Sequence, residues 1–254
     1  KRCMLSWAPL KREAATMMDD LTLDSKTMLC QGVVMAASGK VENGLEFLAE
    51  SGFRDKEDHR PHYLAGRILA DNGRYEEALT EFERAYDRFP SIEIPAERIG
   101  RNLVREEKDD VALAFLAKAF ERKLCSYGCM GLLGKLHSKV GEDDKARVVY
   151  KTMIKEDSSE PGAYIGLAGI ENRAGEYRAE AGFLQKAIAA DKFKTLSSSQ
   201  KADIHYSLAF AKYNGEEYSD AARSIGDAIA LEDDRADWHV LAGWIDLKRD
   251  RMEK

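Results

Sequence analysis

Apolar residues recur through most of the chain at the three- and four-residue spacing of one helix face. The segments come in pairs, and residues 59–90 show the pairing most clearly. In that stretch the apolar face is formed by His62, Ala65, Gly66 and Leu69 in the first segment and by Tyr75, Ala78, Phe82 and Ala85 in the second. The pattern predicts a chain of helix–turn–helix units.

Glycines follow the first segment of each pair at a regular interval. They stand at Gly39, Gly73, Gly141 and Gly175, so the gaps are 34, 68 and 34 residues, and the missing member falls at Glu107. A glycine here supplies the left-handed residue that ends a helix. The interval predicts repeats that begin near residues 25, 59, 93, 127 and 161, a sixth near 202 after a short insertion, and a truncated seventh near 235.

Acidic residues gather at the start of the second segments, where negative charge complements the helix dipole. They are Glu76, Glu77, Asp109, Asp110, Asp143, Asp144, Glu216 and Glu217. The local chemistry therefore agrees with the period.

These positions resemble the tetratricopeptide repeat, in which Leu-Gly, an aromatic residue, Gly-x-Tyr, Ala, Phe, Ala and Pro recur at fixed offsets. The second repeat matches at Ala65, Gly66, Gly73, Tyr75, Ala78, Phe82, Ala85 and Pro90. The resemblance implies an all-α fold, a right-handed α-solenoid of tetratricopeptide helix–turn–helix repeats that serves as a protein–protein interaction scaffold. It covers residues 25–254, and residues 1–24 fit the latter half of a preceding repeat.

Two residues depart from the pattern. Gln31 stands where leucine is expected in the first repeat, and Glu180 stands where a small residue is expected in the fifth. We interpret each as a place where the helix register could shift.

The outward face of the first helices carries a bias of charge. With core residues at positions four, seven, eight and eleven of a repeat, positions nine and thirteen point nearly the opposite way. In the second to fifth repeats these are Arg67 and Asp71, Arg101 and Arg105, Lys135 and Lys139, and Gly169 and Arg173. Six are basic and one is acidic, although acids outnumber bases 45 to 39 in the whole chain.

In the tetratricopeptide family this face lines the concave groove, so the resemblance implies a basic stripe there. We predict that Arg67, Arg101, Arg105, Lys135, Lys139 and Arg173 bind a partner protein or peptide bearing carboxylates or phosphate. Tyr63, Tyr206 and Phe210 are predicted on the same side as apolar anchors. The alternative interpretation is an ordinary solvated helix face.

Other functions remain open to different degrees. The chain could be a structural spacer or self-assembly module that forms a homodimer through exposed repeat ends. RNA binding is a weaker alternative, because the formal net charge is −6. The asparagines of the family's carboxylate clamp are missing from the expected positions, so a chaperone-tail receptor is not predicted.

Catalysis and metal binding are not predicted. The run "GLLGK" falls inside the first helix of the fourth repeat and lacks the spacing of a phosphate-binding loop. The five histidines are scattered, and Cys125, Cys129 and His137, like His59 with His62, do not have the spacing of a zinc site. We expect no catalytic residue, no metal site and no cofactor.

Composition and sequence runs bear on the cellular compartment of the protein. The longest weakly polar run, residues 32–39, is too short to span a bilayer. Four cysteines without a disulfide-framework spacing indicate reduced thiols and a cytoplasmic protein, with a periplasmic one left open. The chain begins with Lys1, so we expect an excised fragment. Residues 192–201 are expected to form a lengthened turn and an extra helical turn.

Overall fold

The structure of the protein is a computed structural model that describes residues 23–252. These residues form thirteen α-helices, one short 3-10 helix and no β-strand. The prediction of an all-α solenoid built from helix–turn–helix repeats is confirmed for this part of the chain. The prediction for residues 1–24 falls almost wholly outside the described residues.

The chain divides into two compact units, Lys1–Cys129 and Met130–Lys254. The helices of the N-terminal unit are α1 (Leu23–Ala37), α2 (Val41–Arg54), α3 (Arg60–Asp71), α4 (Tyr75–Arg88), α5 (Ala96–Arg105), α6 (Asp109–Glu121) and the first residues of α7 (Tyr127–Lys139). Hairpin partners α1 and α2, α3 and α4, and α5 and α6 pack together. Helix α1 also contacts α3, and α4 contacts α6, as expected where repeats stack on their neighbours.

The C-terminal unit repeats this arrangement. After the rest of α7 come α8 (Asp143–Glu156), α9 (Pro161–Ala174), α10 (Tyr177–Ala189), the 3-10 helix (Asp191–Thr195), α11 (Ser198–Asn214), α12 (Tyr218–Leu231) and α13 (Ala236–Met252). Neighbouring helices pack from α8 through α13, and α11 also contacts α13. Each unit is therefore a stack of helical hairpins with its core between the helices.

The residue that ends each first helix adopts a left-handed conformation, as the glycine interval predicts. Gly39, Gly73, Gly141 and Gly175 have φ values of 85, 78, 81 and 74°. Glu107, at the place of the missing glycine, has φ 61°, and Glu216 in the sixth repeat has φ 64°. The period of the fold therefore imposes this conformation even on residues with a side chain, which adopt it at an energetic cost.

Close approach of the paired helices explains the glycine at position eight. A Cβ on Gly134 would lie 2.6 Å from the ring of Tyr150, and one on Gly66 would lie 2.7 Å from the ring of Phe82. The run "GLLGK" lies within helix α7, so its second glycine admits an aromatic side chain.

The predicted register shifts are wrong. Helix α10 begins at Tyr177, three residues before Glu180, just as α4 begins at Tyr75, three residues before Ala78. Glu180 therefore takes the place of the small residue without moving the helix. Gln31 is exposed. The adjacent Gly32 takes the close-packed place, where an added Cβ would lie 2.8 Å from Leu48.

The insertion before the sixth repeat contains the 3-10 helix and an extended start to α11. Ser197 caps α11, because its hydroxyl accepts from the backbone N–H of Gln200 at 3.2 Å while the Gln200 side chain accepts from the Ser197 N–H at 3.0 Å. This reciprocal cap fixes where the helix begins.

Candidate functional site

A groove in the N-terminal unit collects three of the predicted residues. Tyr63, Arg101 and Arg105 line a hollow of about 500 Å³ between α3 and α5. The remaining lining residues are Glu93, Ile94, Pro95, Glu97, Arg98 and Asn102. We call this hollow the arginine groove.

The arginine groove holds three guanidinium groups, of which one is neutralised. Arg101 lies 2.7 Å from Glu97, one helical turn earlier on α5. Arg105 donates to the side-chain oxygen of Asn102 at 2.6 Å. Among the ion pairs of the described residues, none involves Arg98 or Arg105. Arg98 and Arg105 are therefore available to an incoming anion, and the lining, which also includes Glu93, keeps an excess of one positive charge.

Tyr63 forms part of the wall of this groove and is 5% exposed. Its ring is tilted against Phe82 with 6.0 Å between centroids, so packing holds it in place. Because the residue is almost wholly covered, Tyr63 supports the groove wall and offers little surface as the predicted apolar anchor.

Arg67 does not have the outward exposure that the helical positions indicate. The residue is 6% exposed and has interaction partners within the protein. A helical wheel describes one helix and takes no account of the neighbours that cover it. The expected solvent-facing arginine at this position is corrected to a buried one.

The basic residues of the C-terminal unit differ among themselves. Lys135 and Lys139 are exposed on α7. Arg173 is also exposed, but its guanidinium lies 2.5 Å from the carboxylate of Asp143. Arg173 is therefore already paired within the protein.

Tyr206 and Phe210 line a second hollow, which lies within the C-terminal unit and has a volume of about 350 Å³. The other lining residues are Ile165, Ala168, Gly169, Asn172, Glu180, Leu184 and Ser207. No basic residue lines it, and its one charged residue is Glu180. We call this hollow the glutamate hollow.

The carboxyl group of Glu180 is buried, with 4% of the residue exposed. The side-chain amide of Asn172 donates to its two oxygens at 3.1 and 3.0 Å. Burial raises the pKa of Glu180 above its ordinary value, and the amide only partly opposes this. Sequence reasoning missed Glu180 as a site residue, although its departure from the repeat pattern was the signal.

Another hollow of the N-terminal unit, of about 660 Å³, contains none of the predicted site residues. It lies between α2, α3 and α4, and several of its charged side chains pair with one another. Arg74 contacts Glu77 at 2.6 Å, Arg84 contacts Glu81 at 2.6 Å, and His62 lies 2.6 Å from Glu81. Lys56 and Arg88 also line this hollow, and Arg88 donates to the backbone oxygen of Lys56.

Residues 23–252 contain no group of three histidine, cysteine or acidic side chains placed to hold a metal ion. His137 lies 2.7 Å from Glu142 and is thus engaged in an ion pair or hydrogen bond. Within the same described part, no helix is long and apolar enough to cross a membrane.

Cys125 and Cys129 are joined by a disulfide, whereas the sequence indicates reduced thiols. Cys125 lies in the loop before α7 and Cys129 in the first turn of that helix, with 5.2 Å between their Cα atoms, which brings the sulfurs within bonding reach. Disulfides persist mainly in oxidising compartments, so this pairing does not support the cytoplasmic prediction.

Comparison with known proteins identifies the repeat. Residues 59–92 match the family model described as the tetratricopeptide repeat. No curated protein sequence matches the chain.

Solved structures share the fold at low sequence identity. YrrB, a tetratricopeptide-repeat protein with an unusual peptide-binding site, has a TM-score of 0.51 and 17% identity, over 77% of this chain and 95% of YrrB. The C-terminal part of a tetratricopeptide-repeat protein from Cytophaga hutchinsonii has a TM-score of 0.54 and 13% identity, over 92% of this chain and 94% of that one. PilW, a type IV pilus biogenesis factor, has a TM-score of 0.50 and 14% identity, over 87% of this chain and 99% of PilW. Residues 59–92 therefore match one tetratricopeptide repeat, and the described part of the chain shares the fold of tetratricopeptide-repeat proteins of known structure.

Proposed function

We propose that the protein is a scaffold that binds an acidic segment of a partner protein in the arginine groove. The observation that carries this proposal is the presence of two guanidinium groups, those of Arg98 and Arg105, without a carboxylate partner in a concave site beside the buried ring of Tyr63. Arginine can bind a carboxylate through two parallel hydrogen bonds.

The matched repeat and the shared fold support the proposal that the protein is a scaffold for protein–protein interaction. Tetratricopeptide-repeat proteins commonly mediate protein–protein interaction and seldom catalyse reactions. The likeness to YrrB concerns the fold, and a peptide-binding site is described for that protein. The acidic character of the partner rests on the arginine groove alone. Exposed Lys135 and Lys139 would extend the preference for negative charge in the C-terminal unit.

Charge reversal tests the proposal. A fluorescein-labelled EELEE peptide should bind the wild-type chain more tightly than its QQLQQ counterpart, and the preference should weaken as salt is added. The double variant Arg98→Glu with Arg105→Glu should lower affinity for the acidic peptide at least about tenfold. The measurement is fluorescence anisotropy at low and moderate ionic strength.

A matched control has the same change of net charge away from the groove. Lys151 and Lys155 are exposed on α8 and take part in none of the described ion pairs. Lys151→Glu with Lys155→Glu should leave the preference for EELEE intact. If the control weakens binding as much as the groove variant, only overall charge matters and the site assignment is wrong.

A second candidate function, self-assembly, is favoured by an exposed apolar stripe on α13. Val240, Trp244 and Leu247 are about half exposed and follow one another at helical spacing. The equivalents of Val240 and Trp244 in the second repeat, Leu64 and Ile68, are fully buried. The stripe thus has the character of a helix-packing surface.

Sedimentation measurements separate this candidate from the first. Self-assembly through α13 predicts a concentration-dependent dimer that Trp244→Asp dissociates, with peptide binding in the arginine groove unchanged. A chain that stays monomeric at 100 µM, on the order of the concentration at which a weak dimer forms, would exclude it.

A further inference from the structure

Glu180 occupies a position that is small and apolar in the other repeats. The equivalent residues of the second, third, fourth and sixth repeats are Ala78, Ala112, Ala146 and Ala221, and each is 0% exposed. Because the fifth repeat keeps the same register, a carboxyl group stands at the interface between α9 and α10. A charged residue that breaks a local rule without moving the fold is typical of functional sites.

No cation of the described residues pairs with Glu180. Asn172 is its one hydrogen-bond partner. Three cations of α9, α10 and α11 have other partners: Arg173 pairs with Asp143, Lys186 lies over the ring of Phe183, and Lys212 donates to the hydroxyl of Ser224. Arg178, two residues before Glu180, is exposed and makes none of the described ion pairs. Burying a carboxylate without a compensating charge is unfavourable, so an external cation would relieve the site.

Gly169 leaves the hollow open above this carboxyl group. The ninth position of the three preceding repeats carries the long side chains of Arg67, Arg101 and Lys135. A Cβ on Gly169 would meet nothing within 4 Å, so packing does not require a glycine there. A glycine in a helix is less stable than alanine by roughly 0.5–1 kcal/mol, and at this position its effect is to give access.

The walls of the glutamate hollow suit an aliphatic chain that ends in a cation. Ile165, Leu184, Tyr206 and Phe210 provide apolar and aromatic surface around the opening. The ring of Tyr206 stacks on Trp238 with 5.6 Å between centroids, which fixes its orientation, and Phe210 is 37% exposed. Long basic side chains place their stems on such surfaces and their heads on a carboxylate or an aromatic face.

We propose that the glutamate hollow binds an arginine side chain of a partner protein, with the guanidinium paired to Glu180 and the stem between Tyr206 and Phe210. This proposal rests on the proposed scaffold function in one respect, which is that the occupant of the hollow belongs to a partner protein. It does not depend on the arginine groove, which selects the opposite charge. Glu180 is then the residue that determines specificity at this site.

The test uses the full chain and two short peptides. Acetyl-AARAA-amide carries one arginine, and the same peptide with citrulline has nearly the same shape without the charge. The side-chain amide signal of Asn172, assigned by its loss in Asn172→Ser, reports directly on the hollow in ¹⁵N-edited spectra. We expect a saturable shift with the arginine peptide and at least about tenfold weaker binding of the citrulline peptide. Equal binding of the two peptides, or no shift with either, overturns the proposal.

Two variants separate recognition from structure. Glu180→Ala, which restores the residue of the other repeats, should abolish the preference for arginine while the protein stays folded. Gly169→Leu fills the open space of the hollow. It should lower the affinity for the arginine peptide at least about tenfold with little change in melting temperature. If Glu180→Ala unfolds the chain, Gly169→Leu still decides: a folded variant that keeps the arginine preference contradicts the proposal.

Two controls complete the design. Glu156→Ala removes an exposed carboxylate of α8 that makes none of the described ion pairs and should leave binding of the arginine peptide unchanged. Arg98→Glu with Arg105→Glu should also leave it unchanged, although this variant impairs binding of the acidic peptide. A failure of the glutamate hollow is thus distinguishable from a failure of the arginine groove.

Discussion

The arginine groove and the glutamate hollow each include the first helix of a repeat, and their unpaired side chains carry opposite charge. In the N-terminal unit the ninth position of the third repeat is Arg101, and the small position on the following helix is Ala112. In the C-terminal unit the same two positions of the fifth repeat are Gly169 and Glu180. The comparison shows that the repeat determines the backbone and the helix register, while the side chains that differ between repeats determine the charge of each site.

The largest expected effect on stability comes from comparing two glycines of the C-terminal unit. Gly134 is required by close packing, whereas Gly169 leaves the glutamate hollow accessible. Gly134→Ala should lower the free energy of unfolding by about 1–3 kcal/mol, because its Cβ would overlap the ring of Tyr150. Gly169→Ala should raise it by about 0.5–1 kcal/mol, since the Cβ enters open space. Urea denaturation of the two variants measures both. Destabilisation by Gly169→Ala would show that packing, and not access, accounts for this glycine.

Exchanging the residues at the two equivalent positions tests whether they determine which charge each site binds. The double variant Gly169→Arg with Glu180→Ala gives the fifth repeat the residues of the third at these two positions. We expect it to lose the arginine peptide, because the carboxylate is removed. It should also bind EELEE about tenfold more tightly, which corresponds to about 1.4 kcal/mol, because Ile165 stands where Glu97 neutralises Arg101 in the third repeat. Fluorescence anisotropy with both peptides measures the reversal. A variant that still prefers arginine would show that other residues set the charge preference.

The pH dependence of stability distinguishes Glu180 from an ordinary surface carboxylate. Burial raises its pKa in the folded chain above the ordinary value of 4.5, so the folded state favours the protonated form. The stability that this group contributes is present below pH 4.5 and is lost as pH rises through the raised pKa. Relative to wild type, Glu180→Ala should therefore be more stable at pH 7 than at pH 4. Urea denaturation at both values tests this, and Glu156→Ala should show no such trend.

The smallest expected effect concerns a residue that takes a glycine's place. Glu107→Gly should raise the free energy of unfolding by about 0.5–1 kcal/mol, because φ 61° is unfavourable for a residue with a side chain. The change lies in the turn after α5, so binding in the arginine groove should be unaffected. Thermal unfolding provides the measurement, and a loss of stability would contradict the conformational argument.

The fold was predictable because each repeat restates the same constraints. The glycine interval places Glu107 at the position of a helix-ending glycine, and the apolar spacing predicts the helices. A repeated pattern averages out local exceptions, which is why one discordant residue such as Gln31 did not obscure the fold.

The sites were less predictable because they depend on contacts between helices. The helical wheel placed Arg67 in solvent, whereas it is buried, and missed Arg98, which lies in the groove one turn before Asn102. Glu180 was noticed, but as a sign of a shifted register. The sequence shows that Glu180 departs from the repeat pattern. Only the packing of the helices shows that the backbone stays in register and that the carboxyl group lines a hollow.

One titration tests the central claim, that the two hollows select opposite charges. The ¹⁵N-labelled wild-type chain is titrated with EELEE and, separately, with acetyl-AARAA-amide, and the side-chain signals of Arg98, Arg105 and Asn172 are followed. The account predicts that the acidic peptide shifts the two arginine signals and leaves Asn172 unmoved, while the arginine peptide shifts Asn172 and leaves the arginines unmoved. Both peptides moving the same signals, or neither moving any, would contradict it.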